Sequence, residues 1–145
     1  MLYVGLEPVS DHVAACLRVD SGTDIVARRK MMTANDVPVR IATSYFRADL
    51  FGDTRLTEPE FVKPSLQSAL IALGYSFGHA EENLTARSPT TFERETLELE
   101  PGEWIVQVLR ASYSTEDTPI HVLETICAAN RHIFSIGQVS GYDEF

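Results

Sequence analysis

The chain has 145 residues, 44% of them hydrophobic, and a net charge of −9 from 21 acidic and 12 basic side chains. That length and apolar content suffice for one domain with its own core, and the acidic field opposes a nucleic-acid surface, which needs a basic face. No apolar run reaches the roughly 18 residues needed to span a bilayer and the N-terminus lacks a signal pattern, so a cytoplasmic protein without membrane contact is expected.

The first element expected in chain order follows Ser10, a candidate N-cap, where "DHVAACLR" places Val13, Ala14 and Leu17 on one stripe of a helix from Asp11 to about Arg18. "TDIVARRKMM" then alternates as a strand, Ala34-Asn35-Asp36 supplies a turn, and "VPVRIATSYFRADL" forms a second strand, giving a hairpin. Arg28, Arg29 and Lys30 are consecutive on the first of these strands. Arg28, Lys30 and Met32 therefore share one face, and Arg29 and Met31 the other. One of those faces meets the core or a pocket.

"KPSLQSALIALGY" sets Leu66, Ala69, Leu70 and Leu73 at helical spacing behind Ser65, with Gly74 at the end. "HAEENLTARS" reads as a polar strand on which Glu81-Glu82 form a solvated face. Thr90 stands three residues before Glu93, a capping-box spacing, ahead of a short helix expected to end near Pro101-Gly102. Trp104, Val106 and Val108 alternate, Ser114 to Thr118 turn, and a second alternating run starts at Ile120, closing a hairpin. A further short strand is expected over Ile133 to Val139, before the tail.

The expected order is helix, hairpin, helix, strand, helix, hairpin, too closely spaced for parallel crossovers. The fold class is therefore α+β with a mainly antiparallel sheet. Cys16 and Cys127 lack metal-ligand spacing and read as buried thiols. The four histidines are scattered and no nucleophile, P-loop or metal motif is present, so neither catalysis nor a metal or other cofactor is expected.

Several of these segments, in order, resemble the UTRA domain, the effector-binding half of GntR-superfamily transcription regulators of the HutC subfamily. "VSDHVAACLRVDSGTDIVARRK" is similar to its opening, "ANDVPVRIATSYF" to its turn, proline and Ser-Tyr strand, and "KPSLQSALIALGY" to its Ser-Leu helix. "ENLTARSPTTFERETLELEPGEWIVQVLRASYSTEDTPIHVLETICAANRHIF" is similar to its C-terminal signature. The resemblance runs from Leu6 to about Val139. It implies a chorismate-lyase-like sheet flanked by helices that spans residues 1–145 as a single domain, binds a small metabolite, and forms a homodimer. It also implies DNA contact only through a winged helix-turn-helix domain, which these residues do not contain.

The resemblance further implies effector contacts. Two arginine positions of sugar-phosphate-sensing members fall on Lys30 and Met32 when counted back from Pro38, or on Arg29 and Met31 if the turn differs by one residue. A glutamate position falls on Ala42, and the helix-start serine is kept as Ser65, which either caps the helix or meets an anionic group of the ligand. On the last hairpin a glutamate falls on His121 and a tyrosine on Cys127, and His121, Leu123, Thr125 and Cys127 would line one wall. These exchanges disfavour a hexosamine phosphate and favour a less charged, partly apolar effector with one carboxylate or other anionic group.

The same residues have structural readings. His121 can be a satisfied sheet histidine, Met32 and Cys127 core, Arg87 and Glu93 a structural ion pair, and Tyr45 a core residue near the sheet edge. Three functions remain: a sensor domain, a stand-alone module that pairs with full-length regulators, and a lyase-like enzyme, which the missing catalytic set opposes.

Overall fold

The architecture follows from two long hairpins that pair with each other. The computed structural model describes residues 2–60, 62–63 and 65–135. Its elements are β1 (Tyr3–Pro8), α1 (Asp11–Leu17), β2 (Asp24–Ala34), β3 (Val37–Arg47), α2 (Ala48–Phe51), α3 (Leu66–Ala72), β4 (Phe77–Arg87), α4 (Thr91–Thr96), β5 (Ile105–Ser114) and β6 (Pro119–Ala128), with 3-10 turns at Arg55–Thr57 and Ala129–Arg131. The strands form one sheet in the order β1-β2-β3-β6-β5-β4. Every pair is antiparallel, and the α+β class is as expected.

The turn between β2 and β3 decides which cations face which way. Asn35 and Asp36 both take positive φ, 51° and 63°, the two-residue geometry whose twist suits a hairpin. A register shift between Met32 and Thr33 leaves one extra residue on β3, Val39 between Pro38 and Arg40, so that Met32 lies opposite Arg40 and Lys30 opposite Ala42. Lys30 and Met32 thus share a face with Ala42, and Arg29 turns to the other.

Each face has its own cover. Val13, Ala14 and Leu17 of α1 pack with Ile25, Ala27, Tyr45, Leu109 and Val122 on one side. Next to them Leu97 and Leu99, just after α4, close over Ile41, Ile105 and Ile126. On the opposite face Val26 and Phe46 meet Phe51, Leu56, Ala69 and Leu70 from the segment between β3 and β4. Each such aliphatic side chain buried from water contributes about 1.5–3 kcal/mol.

Several expectations are corrected. β1 was not foreseen: "YVGLEP" is short and largely exposed, and it is defined by its pairing with β2. Tyr45 is buried, but on the interior strand β3 and away from any sheet edge, because β3 pairs with both β2 and β6. α4 stops at Thr96, well before Pro101, since Glu98 adopts a left-handed φ of 52° that no helix continues through. Ser10 occupies the N-cap position of α1 without a capping side-chain bond. Residues 133–135 are not strand, and the remainder of the segment expected to reach Val139 lies outside the described residues.

Candidate functional site

Side chains of one parity on β2, β3 and β6 build a floor. Across the strands the register gives successive rows: Arg28, Ser44 and Leu123; then Lys30, Ala42 and Thr125; then Met32, Arg40 and Cys127. Above these rows lies a cavity of about 460 Å³, roofed by Val62, Ser65 and Leu66 and closed at one end by His121. Lys30, Met32, Ala42, Ser65, His121 and Leu123 all line it, as do Arg28, Arg40, Ser44 and Thr125. Among the described residues the lining holds three cations and no Asp, Glu, Asn or Gln, in a chain of net charge −9.

The cations are held differently. Arg28, only 5% exposed, donates to the carbonyl oxygens of Leu56 (2.7 Å), Glu58 (2.6 Å) and Glu60 (2.7 Å). It clamps the roof segment onto the sheet, and its fork is largely occupied by backbone. Burial lowers its pKa and the Glu60 charge opposes this, yet a guanidinium stays protonated in proteins. Arg40 lays its Nε against Met32 Sδ at 2.8 Å, a weak acceptor. Neither Arg40 nor Lys30 has a carboxylate partner among the described residues.

His121 stacks on Phe46 with ring centroids 4.9 Å apart and planes 8° from parallel, and its Nε2 lies 2.9 Å from Ser44 Oγ. Burial, with a smaller effect from the Arg110 charge, pushes its pKa down to about 4, so the imidazole is neutral at pH 7. The Ser65 hydroxyl accepts from the Ser68 N–H at 3.0 Å and thereby caps α3.

Two of the residues singled out in the sequence lie elsewhere. Arg29 is on the opposite face, where it donates to Glu7 (2.8 Å), Thr43 (3.0 Å) and Tyr45 (3.4 Å) beside a smaller hollow of about 290 Å³. Cys127 shares the floor's parity but is 2% exposed, covered at the end of the row rather than open to the cavity. Burial raises its thiol pKa and the Arg40 charge partly opposes that. Sequence reasoning had not singled out Arg40, Ser44, Val62 or Leu66. The parity that places Ala42 would also have placed Arg40 and Ser44, whereas Val62 and Leu66 arrive from a segment distant along the chain.

Elsewhere, Ser10 Oγ lies 3.5 Å from His12 Nδ1, and His12 Nε2 lies 3.1 Å from Glu124. At 3.5 Å the serine contact is longer than the hydrogen bond that joins an activated nucleophile to its base. Among the described residues no group of acidic, histidine or cysteine side chains could hold a metal ion, and no helix is long and apolar enough to cross a membrane.

The sequence profile of the UTRA domain matches residues 1–133. The chain belongs to the UTRA domain family. An uncharacterized HTH-type transcriptional regulator of Streptomyces coelicolor is 29% identical over 126 residues, a match covering 85% of this chain and 47% of that protein. This UTRA chain spans about half the length of the curated relatives it matches. The effector domain of PhnF from Mycobacterium smegmatis has a similar fold, with a TM-score of 0.78 at 19% identity over 96% of this chain and 85% of that one. A GntR-family transcriptional regulator from Enterococcus faecalis also matches, with a TM-score of 0.77 at 19% identity over 94% of this chain and 97% of that one.

Proposed function

We propose that this UTRA chain is the effector-sensing part of a GntR-type transcription regulator of the HutC kind, binding a small metabolite in the cavity over β2, β3 and β6. The observation that carries this is the cavity itself. Its floor brings together Lys30, Met32, Ala42, His121 and Leu123, from strands far apart in sequence, and Ser65 stands above them. A packed core would fill such a volume, which falls within the roughly 300–1,000 Å³ usual for small-molecule sites. The Streptomyces relative's designation as an HTH-type regulator supports a regulatory rather than catalytic role.

In this reading the domain works as a homodimer in the cytoplasm, and DNA is met only through a separate winged helix-turn-helix domain. An effector that binds one arrangement of the dimer more tightly shifts the DNA-binding heads toward it. A thermal-shift screen against sugars, sugar phosphates, amino acids and organic acids tests the proposal. A saturable rise in Tm is the expected result. A folded dimer that responds to no metabolite would overturn it in favour of a module that only pairs with full-length regulators.

A further inference from the structure

The cavity's chemistry narrows its ligand, granted the reading of the cavity as an effector site. Ala42 is the smallest side chain of the floor and leaves a dip in it. Lys30 flanks this dip from β2 and Thr125 from β6, while Arg40 and Ser44 stand before and after it along β3. Two cations and two hydroxyls thus surround one small hollow. Lys30 has no carboxylate partner among the described residues, and Arg40 rests on a thioether that a true acceptor would displace. Arg28 adds positive potential, but its donors are engaged by the Leu56, Glu58 and Glu60 carbonyls.

From the dip toward the roof the lining turns apolar, with Leu123 below and Val62 and Leu66 above. No carboxylate or carboxamide side chain of the described lining accepts from the hydroxyls of a sugar. Arg40 and Lys30 together offer one planar fork and one point charge, which match the two oxygens of a singly charged head. We propose that the ligand is a small organic carboxylate whose head sits on Ala42 between Lys30 and Arg40 and whose apolar body lies between Leu123 and the roof side chains Val62 and Leu66.

The test is calorimetric titration of the 145-residue chain with straight-chain acids from butanoate to octanoate, benzoate and phenylacetate, with the matching amides, and with glucose and glucose 6-phosphate. Amide NMR shifts locate any site. At least one acid should bind saturably and move the Lys30, Ala42 and Leu123 amides, with its amide weaker by roughly tenfold or more. Lys30→Gln and Arg40→Gln, both at sites without an ion-pair partner among the described residues, should each weaken the acid by roughly tenfold or more while keeping the spectrum of the folded chain.

An amide that binds as well as its acid, or acid binding that leaves those three amides unmoved, overturns the carboxylate assignment. Glucose or glucose 6-phosphate binding while every acid is silent overturns it too, and leaves the sensor reading standing. Silence of every compound here, together with silence in the metabolite screen, overturns both.

Discussion

The imidazole of His121 lies flat on the ring of Phe46, centroids 4.9 Å apart, with Nε2 2.9 Å from Ser44 Oγ. That seat favours the neutral ring: burial lowers the pKa from 6.5 to about 4 in the folded chain. As pH falls below 6.5 the unfolded chain takes up a proton that the folded chain refuses, so stability declines until about pH 4. The full loss is on the order of 3 kcal/mol. Urea unfolding at pH 7 and pH 4.5 should therefore show a steeper loss for the wild type than for His121→Gln, and parallel losses would show that the ring titrates normally.

Arg28 donates to three carbonyls of the segment that roofs the cavity. Arg28→Met keeps the stem's packing but leaves those acceptors without a donor, which costs about 2–4 kcal/mol. Because the clamp fixes the roof, proteolysis should begin between residues 53 and 63 and any cavity ligand should bind more weakly. Cleavage elsewhere, or an unchanged urea midpoint, would mean that the segment is held by Leu56 and its apolar neighbours instead.

These two residues mark how far the sequence could be read. Strand parity and the Asn35-Asp36 turn made both hairpins legible, and the resemblance to the UTRA domain pointed to Ala42, to His121 and to either Lys30 or Arg29, with parity setting His121 and Leu123 on one strand face. The clamp was not legible, because its acceptors are backbone groups 28 to 32 residues away, and carbonyls leave no trace in side-chain pattern. The choice between Arg29 and Lys30 hung on one extra β3 residue between Pro38 and Arg40, a backbone event that the side chains there do not announce. β1 was missed for a related reason: a half-exposed edge strand carries little apolar alternation, and its partner defines it.

The Arg87–Glu93 pair anchors α4 to the sheet. Glu93 accepts from both terminal nitrogens of Arg87, at 2.8 and 2.9 Å, and from the Thr90 N–H at 2.9 Å, closing a capping box. Burial pushes the carboxyl pKa up, but the Arg87 and Thr90 hydrogen bonds and the Arg87 charge outweigh it and hold the pKa below 4.5. Its stabilisation is therefore present above pH 4.5 and is lost as pH falls through the folded value. Glu93→Ala should cost about 2–3 kcal/mol at pH 7, combining a lost cap with an unpaired guanidinium. Glu93→Gln should cost less and show a shallower loss of stability below pH 4.5. Equal acid sensitivity in wild type and Glu93→Gln would remove the pair from the account of acid unfolding.

Neighbouring cations on β2 should separate stability from binding. Arg29 pairs with Glu7 and Thr43 on the α1 side, away from the cavity, whereas Lys30 lines the cavity and has no carboxylate partner among the described residues. Arg29→Gln should lower stability by about 1–2 kcal/mol, because Glu7 and the Tyr45 hydroxyl lose a partly buried donor. It should change the affinity of a bound carboxylate by no more than about twofold, since it shares no contact with the cavity. Lys30→Gln should do the reverse, with stability within roughly 0.5 kcal/mol of wild type and affinity reduced roughly tenfold or more. Paired urea melts and calorimetric titrations of both variants distinguish the faces. If Arg29→Gln is the variant that loses the ligand, the effector sits on the α1 face of the sheet, and the cavity over Ala42 is not its seat.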